Sequence, residues 1–279
     1  MERLLSFEQE WTKVQPNHVF LLRYMREALD VEQVEWSDLT TLNLSKIRDH
    51  ICRKVKGNSS STYLGILKAF LAKYSDEKII PCKNPNKELK AKRVPSQNIY
   101  LTEDEIERIE RYQPKSDCER DVKVAFLIEC YLGARRSDVE EITADNIVDG
   151  RIVYVSKKTH IQTSVPIHKN LLKYLSYKPK KTRQRAVTNK TIQRICKKVG
   201  ICSEIKIFYH GEMEKRPKYE FVGSHTARRS FCSNLARHGT DIYTISSLAG
   251  HDRNIIMTQR YIIPDVDELS RETMSFFEG

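Results

Sequence analysis

The stretch "SHTARRSFCSNLARHG", residues 224–239, sets a histidine three residues ahead of an arginine. It gathers five basic or imidazole side chains, His225, Arg228, Arg229, Arg237 and His238, around an apolar stripe of helical spacing. The three-residue step puts His225 and Arg228 on one helix face, where so much positive charge calls for a negative counterpart. A second stretch, "LAGHDRNIIMTQRYII", residues 248–263, places His251 ten residues ahead of Tyr261.

Composition narrows what that counterpart is. The 279 residues suit two ordinary domains, each with its own core. Lys and Arg number 48 against 37 Asp and Glu, a formal charge of +11, which suggests a polyanionic partner. The distribution is more telling, because residues 150–203 carry 14 Lys or Arg and no Asp or Glu. An idle solvated surface mixes both signs, so this one-sided segment favours phosphate binding. The seven cysteines are scattered, odd in number and without a C-x-x-C pair, which reads as reduced and structural. The opening "MERLLSFEQEW" lacks a long apolar stretch, so a cytoplasmic protein with no membrane partner is expected.

The chain is expected to be mainly α with a small β-sheet. Up to about Tyr74, apolar residues recur at helical spacing in "HVFLLRYMREALDV", "LSKIRDHICRKV" and "STYLGILKAFLAKY", predicting a small helical bundle over residues 1–85. Pro81, Pro85 and Pro95 then break helices amid a crowd of lysines, which predicts a basic interdomain linker over residues 86–97. A second domain, residues 98–279, opens where Thr102 and Glu105 fit a capping box. After the apolar helix "VKVAFLIECYLGA", the runs "RIVYVSKK" and "TSVPIH" read as a hairpin turning at "THIQ". "EIKIFYHG" and "KYEFVG" are expected as two more strands, and helix is expected from there to the end. No internal repeat or low-complexity segment is evident.

Several chemistries find no support. There is no Gly-rich phosphate loop ending in Lys-Ser/Thr, no H-E-x-x-H, no paired Cys/His metal spacing and no G-x-S-x-G elbow, so neither ATP, a metal nor another cofactor is expected. What remains is "YLGARRSDVEEI", the "KKTHIQTSVPI" hairpin, "HTAR" and "GH" followed by "RY". In this order the motifs resemble the tyrosine recombinase (phage integrase) family, from about Tyr100 onward. The resemblance implies an N-terminal SAM-like core-binding bundle and a mixed α/β catalytic domain of the DNA breaking-rejoining type. Its G-x-R-x-x-D/E pattern falls on Arg135 and Asp138, and its K-T-x turn selects Lys158 over Lys157. H-x-x-R falls on His225 and Arg228, G-H on His251, and the nucleophilic tyrosine on Tyr261. The family's usual Leu and His around the second arginine are here Ala227 and Arg229.

By that resemblance Tyr261 attacks a backbone phosphate, leaving a 3′-phosphotyrosyl link and a free 5′-hydroxyl, and a second strand's 5′-hydroxyl then attacks the link without ATP. Residue chemistry suits the implied roles. Arg135 and Arg228 are planar, permanent cations for a charge-spread phosphoryl transition state. His225 is able to handle the tyrosine proton near neutral pH, and His251 to donate to a phosphate oxygen. Lys158 would protonate the departing 5′-oxygen, while Asp138 would orient Arg135. Arg136 and Arg229 read as DNA-backbone contacts or exposed partners. On a strand, Lys157 and Lys158 would point to opposite faces, leaving one to reach the phosphate.

The implied partners are double-stranded DNA with inverted-repeat half-sites, further copies forming a dimer and tetramer on that DNA, and optionally an accessory DNA-bending protein. A Xer-like layout is expected, without the extra arm-binding domain of many phage integrases. The tail "PDVDELSRETMSFFEG" has helix-like apolar spacing and reads either as a segment that docks on a neighbour or as a helix on its own domain. Two rivals share much of this pattern. A type IB topoisomerase religates the same strand, and a DNA-binding regulator on the same fold would be indifferent to loss of Tyr261.

Overall fold

The computed structural model describes residues 5–55, 58–75, 79–91, 98–177, 184–209, 212–251 and 255–263. It divides into two compact units, Met1–Gln97 with Phe208–Glu214, and Asn98–Ile207 with Lys215–Gly279.

In the first unit the three expected helices form as α2 (Phe20–Leu29), α3 (Thr41–Lys54) and α4 (Asn58–Ala72). They are preceded by α1 (Phe7–Val14), which the sequence analysis left unassigned. Its start is set by a capping box: the Ser6 hydroxyl accepts from Gln9 N, and the Gln9 side chain accepts from Ser6 N. Phe7 and Trp11 of α1 are fully buried and meet Phe70 of α4 with ring centroids 5.6 and 4.8 Å apart. Burying such aromatic area makes α1 a structural part of the bundle. The short α5 (Pro85–Glu88) follows. Leu89 behind it is fully buried in the bundle core, Arg48 Nη1 donates to Glu88 O at 2.9 Å, and Ser45 Oγ donates to the Glu88 carboxylate at 2.9 Å. The segment expected as a linker thus starts as part of the bundle, because one leucine finds an apolar site there. Residues 92–97 lie outside the described residues.

The second unit is organised on α7 (Asp117–Leu132), started by Ser116, whose hydroxyl accepts from Glu119 N. One side of α7 places Val124, Ala125, Ile128 and Leu132 in a core shared with Phe231, Cys232 and Ile245. The other places Val122, Phe126, Leu127 and Cys130 against Ile106, Ile192 and Ile195. A helix apolar on both sides belongs in the middle of a domain. Its flankers are α6 (Glu103–Arg111), capped by Thr102 and Glu105 as expected, α10 (Arg185–Lys198) and α11 (Ser224–Arg237). Short helices α8 (Arg136–Val139), α9 (Leu172–Leu175), α12 (Ile242–Leu248) and α13 (Ile255–Gln259) complete the helical part.

A three-stranded antiparallel sheet, β1 (Ile147–Val148), β2 (Arg151–Val155) and β3 (Gln162–Pro166), has register Ile152 to Val165 and Tyr154 to Thr163. Those four residues are buried while their neighbours face outward, the period-two alternation of a one-sided sheet. The hairpin turns earlier than expected, at Lys157–Thr159, with Ser156 N donating to Ile161 O and His160 N to Ser156 O. A second two-stranded sheet pairs β4 (Glu204–Tyr209) with β5 (Glu212–Pro217). "KYEF", expected as a strand, is instead a 3₁₀ turn, Lys218–Phe221. The polar "EMEKRP" run takes the strand position, so pairing overrides local apolar content. Tail residues 264–279, the candidate docking segment, lie outside the described residues.

Candidate active site

Helix α7 ends at Gly133, which takes φ +68°, a left-handed conformation that glycine adopts without strain. Space demands glycine as well, since a Cβ here would lie 2.4 Å from the Phe231 ring. The turn delivers Arg135 to the position capping α8, and Asp138 one turn later is 3% exposed. Asp138 does not pair directly with Arg135. One carboxylate oxygen accepts from Ser156 Oγ at 3.0 Å and the other from Lys157 N at 3.0 Å, and Arg135 Nη1 donates to Ser156 Oγ at 2.9 Å. Asp138 therefore orients Arg135 through a serine at the end of β2, and the same carboxylate anchors the β2–β3 turn.

That turn corrects the reading of the two lysines. Lys157 and Lys158 are in a turn, so strand alternation does not separate them. Partners do: Lys157 Nζ is held by Glu141 Oε1 at 2.9 Å, whereas Lys158 is exposed with no hydrogen-bond partner among the described residues. Lys158 is within electrostatic reach of His225, whose pKa it helps to depress.

Arg228, on α11, is 1% exposed and stitches the separate motifs together. Its Nη1 donates to Gly133 O at 2.6 Å and its Nη2 to Ala249 O, joining the first arginine motif to the Gly-His motif. Its Nε is buried without a partner. Gly250, at φ +63°, turns the chain so that His251 points inward, and a Cβ there would come within 2.6 Å of Thr163 Oγ1. His251 is 3% exposed, with Nδ1 3.0 Å from Thr258 Oγ1 and Nε2 unpartnered. Burial, then Arg228 and Arg135, hold its pKa down at about 3, so the ring is neutral at physiological pH. With Nδ1 engaged by Thr258, Nε2 is the ring nitrogen left for a further partner. Two buried nitrogens, Arg228 Nε and His251 Nε2, thus have no hydrogen-bond partner among the described residues.

Tyr261 follows α13 and is half-buried. Its ring centroid lies 5.3 Å from Arg228 Cζ, 6.0 Å from Arg229 Cζ and 5.0 Å from the His251 ring. His225 is exposed at the start of α11. Desolvation lowers its pKa, with Arg229, Arg185, Arg228 and Lys158 adding to the effect, which favours an imidazole free to take up a proton. The structure thus forms two contacting groups, Arg135 with Asp138 through Ser156, and Arg228 with His251 around Tyr261. At electrostatic range Arg135 acts on Arg228 and His251, and Lys158 on His225.

Residues 99–267 match the profile of the phage integrase family. The chain belongs to this family. Among its relatives, tyrosine recombinase XerC of Rickettsia canadensis is 26% identical over 298 residues, spanning 96% of this chain and 94% of that protein. XerC of Rickettsia massiliae is 26% identical over 264 residues, spanning 90% and 83%. A lambda integrase dimer bound to a COC′ core site superposes with a TM-score of 0.66 at 16% identity, covering 92% of this chain and 95% of that one. The Tn1549 transposon integrase with circular intermediate DNA gives 0.64 at 15% identity over 98% and 99%. XerH on a palindromic difH substrate gives 0.63 at 14% identity over 98% and 83%. These likenesses are of fold: the mainly α architecture with small sheets is that of the phage integrase family.

Set beside the family's motifs, two neighbours differ from the sequence reading. Arg136 is not a free backbone contact, because its Nη1 lies 3.3 Å from the carboxylate of Glu129, which is 2% exposed. Arg229 is half-buried beside Tyr261. Ser156 and Thr258 were not singled out from sequence. Position next to the lysine pair was the one signal for Ser156, and Thr258 gave none. Among the described residues no group of three or more His, Cys, Asp or Glu is placed to hold a metal.

Proposed function

We propose that this protein is a site-specific tyrosine recombinase that cleaves and rejoins duplex DNA through a 3′-phosphotyrosyl intermediate. The observation that carries this is the convergence on Tyr261 of Arg228 and His251, each buried and each with a side-chain nitrogen that has no hydrogen-bond partner among the described residues. In this reading His251 carries its proton on Nε2 and joins Arg228 as a preorganised donor to the charge that builds on phosphoryl oxygens. In cleavage, Tyr261 Oη gives its proton to His225 and bonds to phosphorus. The bond from phosphorus to the 5′-oxygen breaks, and that oxygen takes a proton from Lys158. Arg135, Arg228 and His251 hold the non-bridging oxygens, with Asp138 and Ser156 fixing Arg135. Rejoining runs the same steps backward with a 5′-hydroxyl as nucleophile, so bond energy is conserved and no ATP is consumed.

The reading extends to partners and organisation. The helical bundle, which takes in the start of the expected linker as far as Leu89, is the core-binding domain, and residues 98–279 are the catalytic domain. The substrate is duplex DNA with inverted half-sites, on which dimers and then a tetramer assemble, with an accessory DNA-bending protein as an optional partner. The lambda integrase and XerH structures, a dimer on a core site and a complex with a palindromic substrate, support this. Among the described residues no helix is long and apolar enough to cross a membrane. With all seven cysteines free, the reading assigns the protein to the cytoplasm. Whether the reaction integrates, excises or inverts DNA follows from where the sites lie.

Covalent trapping on a pool of nicked random-sequence duplexes tests this. A denaturant-resistant adduct, absent in Tyr261→Phe and enriched for an inverted repeat, is expected. DNA binding without any adduct would point to a regulator instead, and relaxation without strand exchange to a topoisomerase.

A further inference from the structure

Arg229 has no evident structural reason to be where it is. It is half-buried, its Nε is shielded from solvent without a hydrogen-bond partner, and among the described residues no carboxylate pairs with it. Desolvation accordingly lowers its pKa, with Tyr261 acting in the opposite sense. Taking a guanidinium out of water without an acid is costly, and such an arrangement persists where a negative charge arrives during function. The neighbour it does have is the nucleophile, with the Tyr261 ring centroid 6.0 Å from Arg229 Cζ. The element carrying Arg229 also grips the tyrosine backbone. Ser233, one turn further along α11, donates from Oγ to Tyr261 O at 3.3 Å and accepts from Ile263 N at 3.0 Å.

We propose that Arg229 is a positioning residue for Tyr261: its guanidinium rests on the ring, fixes its aim and favours the negative charge that develops on the phenolic oxygen. This rests on the recombinase reading and departs from a backbone-contact role for Arg229. A cation near an aromatic ring is attracted by its π face, and attraction strengthens when water is excluded and when the phenol begins to ionise. During cleavage the Oη–phosphorus bond forms as the proton leaves for the base. During rejoining that bond breaks, and Oη departs carrying the same charge until a proton returns. One group therefore serves both directions, and its loss slows both.

The experiment uses full-length protein and the duplex enriched by covalent trapping, nicked to prevent rejoining. Single-turnover cleavage, rejoining of the isolated adduct by a 5′-hydroxyl strand, and DNA affinity against salt are measured for the parent, Arg229→Gln and Arg229→Lys. The Gln variant is expected to slow cleavage and rejoining alike, about tenfold to a hundredfold, with Kd within about twofold of the parent and the salt slope unchanged. The Lys variant, which keeps a cation, is expected to fall between the two. Should Arg229→Gln fail to fold, Arg229→Met, which keeps the apolar stem, replaces it. A Gln variant that cleaves bound DNA at the parent rate overturns the proposal, as does one with weaker binding, a shallower salt slope and normal cleavage, the signature of a backbone contact. A Lys variant as slow as Gln overturns the charge role. A parent that binds but forms no Tyr261-dependent adduct overturns the recombinase reading itself, a result distinct from all of these.

Discussion

Arg228 holds its place through two backbone carbonyls, Gly133 O and Ala249 O, so its geometry is as constrained as its charge. Lysine offers one compact ammonium on a shorter stem and cannot reach both carbonyls while also presenting a donor to the phosphate. Arg228→Lys is expected to lose about 10²–10³-fold in single-turnover cleavage and about 1–3 kcal/mol of stability, read by trapping kinetics and urea unfolding on the same preparation. His251 supplies a prediction of opposite character. An unfolded histidine takes its proton near pH 6.5, whereas burial beside Arg228 and Arg135 delays this in the folded protein to about 3. Between those values the unfolded state binds more protons, so stability is fully present above about 6.5 and is lost as pH falls toward 3. His251→Gln should flatten the decline in unfolding free energy between pH 6.5 and 4. An acid limb as steep as the parent's would show that another group causes it.

The elements are shaped by demands that a pattern of apolar residues records in part. The β2–β3 turn is held by Asp138 and by the Lys157–Glu141 pair, which leaves Lys158 exposed at its tip. Lys158→Ala should slow cleavage of ordinary duplex and be largely rescued when the 5′-bridging oxygen is replaced by sulfur, because a thiolate departs without a proton. Equal losses on both substrates would remove Lys158 from leaving-group protonation. The α7 terminus is stricter. Gly133 combines φ +68° with a Phe231 ring 2.4 Å from any added Cβ. Gly133→Ala is expected to cost about 2–4 kcal/mol through strain and overpacking, measured by chemical unfolding, and to displace Arg135 and Arg228 together. The sequence indicated α7, the hairpin and α11, since their periodicity is strong. It misplaced the turn by about one residue pair and took "KYEF" for a strand, because turn position and edge pairing depend on partners distant in sequence.

At the scale of the whole molecule, the positive charge and the site belong to one function. The one-sided segment of residues 150–203 includes α10, whose Arg185, Lys190, Arg194, Lys197 and Lys198 are exposed. Two of these are partly committed, as Arg194 and Lys198 both approach Glu119. Lys190→Ala is therefore the cleaner probe. Duplex affinity should fall with salt by a log–log slope of about −0.9 per phosphate contacted, and Lys190→Ala should make that slope shallower by about one while lowering affinity alike for all sequences. An unchanged slope would exclude Lys190 from the backbone footprint.

What the sequence determined by itself was the inventory: a basic chain, helices from 3.6-residue periodicity, and motifs in an order that resembles one family. Those are local or additive properties, fixed by which residues occur and how they are spaced. Only the tertiary structure decided how the inventory is wired. It showed that Asp138 reaches Arg135 through Ser156, that Arg228 hangs from the carbonyls of two separate motifs, and that Arg136 is spoken for by a buried glutamate while Arg229 lies against Tyr261. Those contacts join residues far apart in the chain, and burial gives them their energetic weight. A buried polar group is settled by whichever partner folding brings to it, and no spacing rule along the chain carries that information.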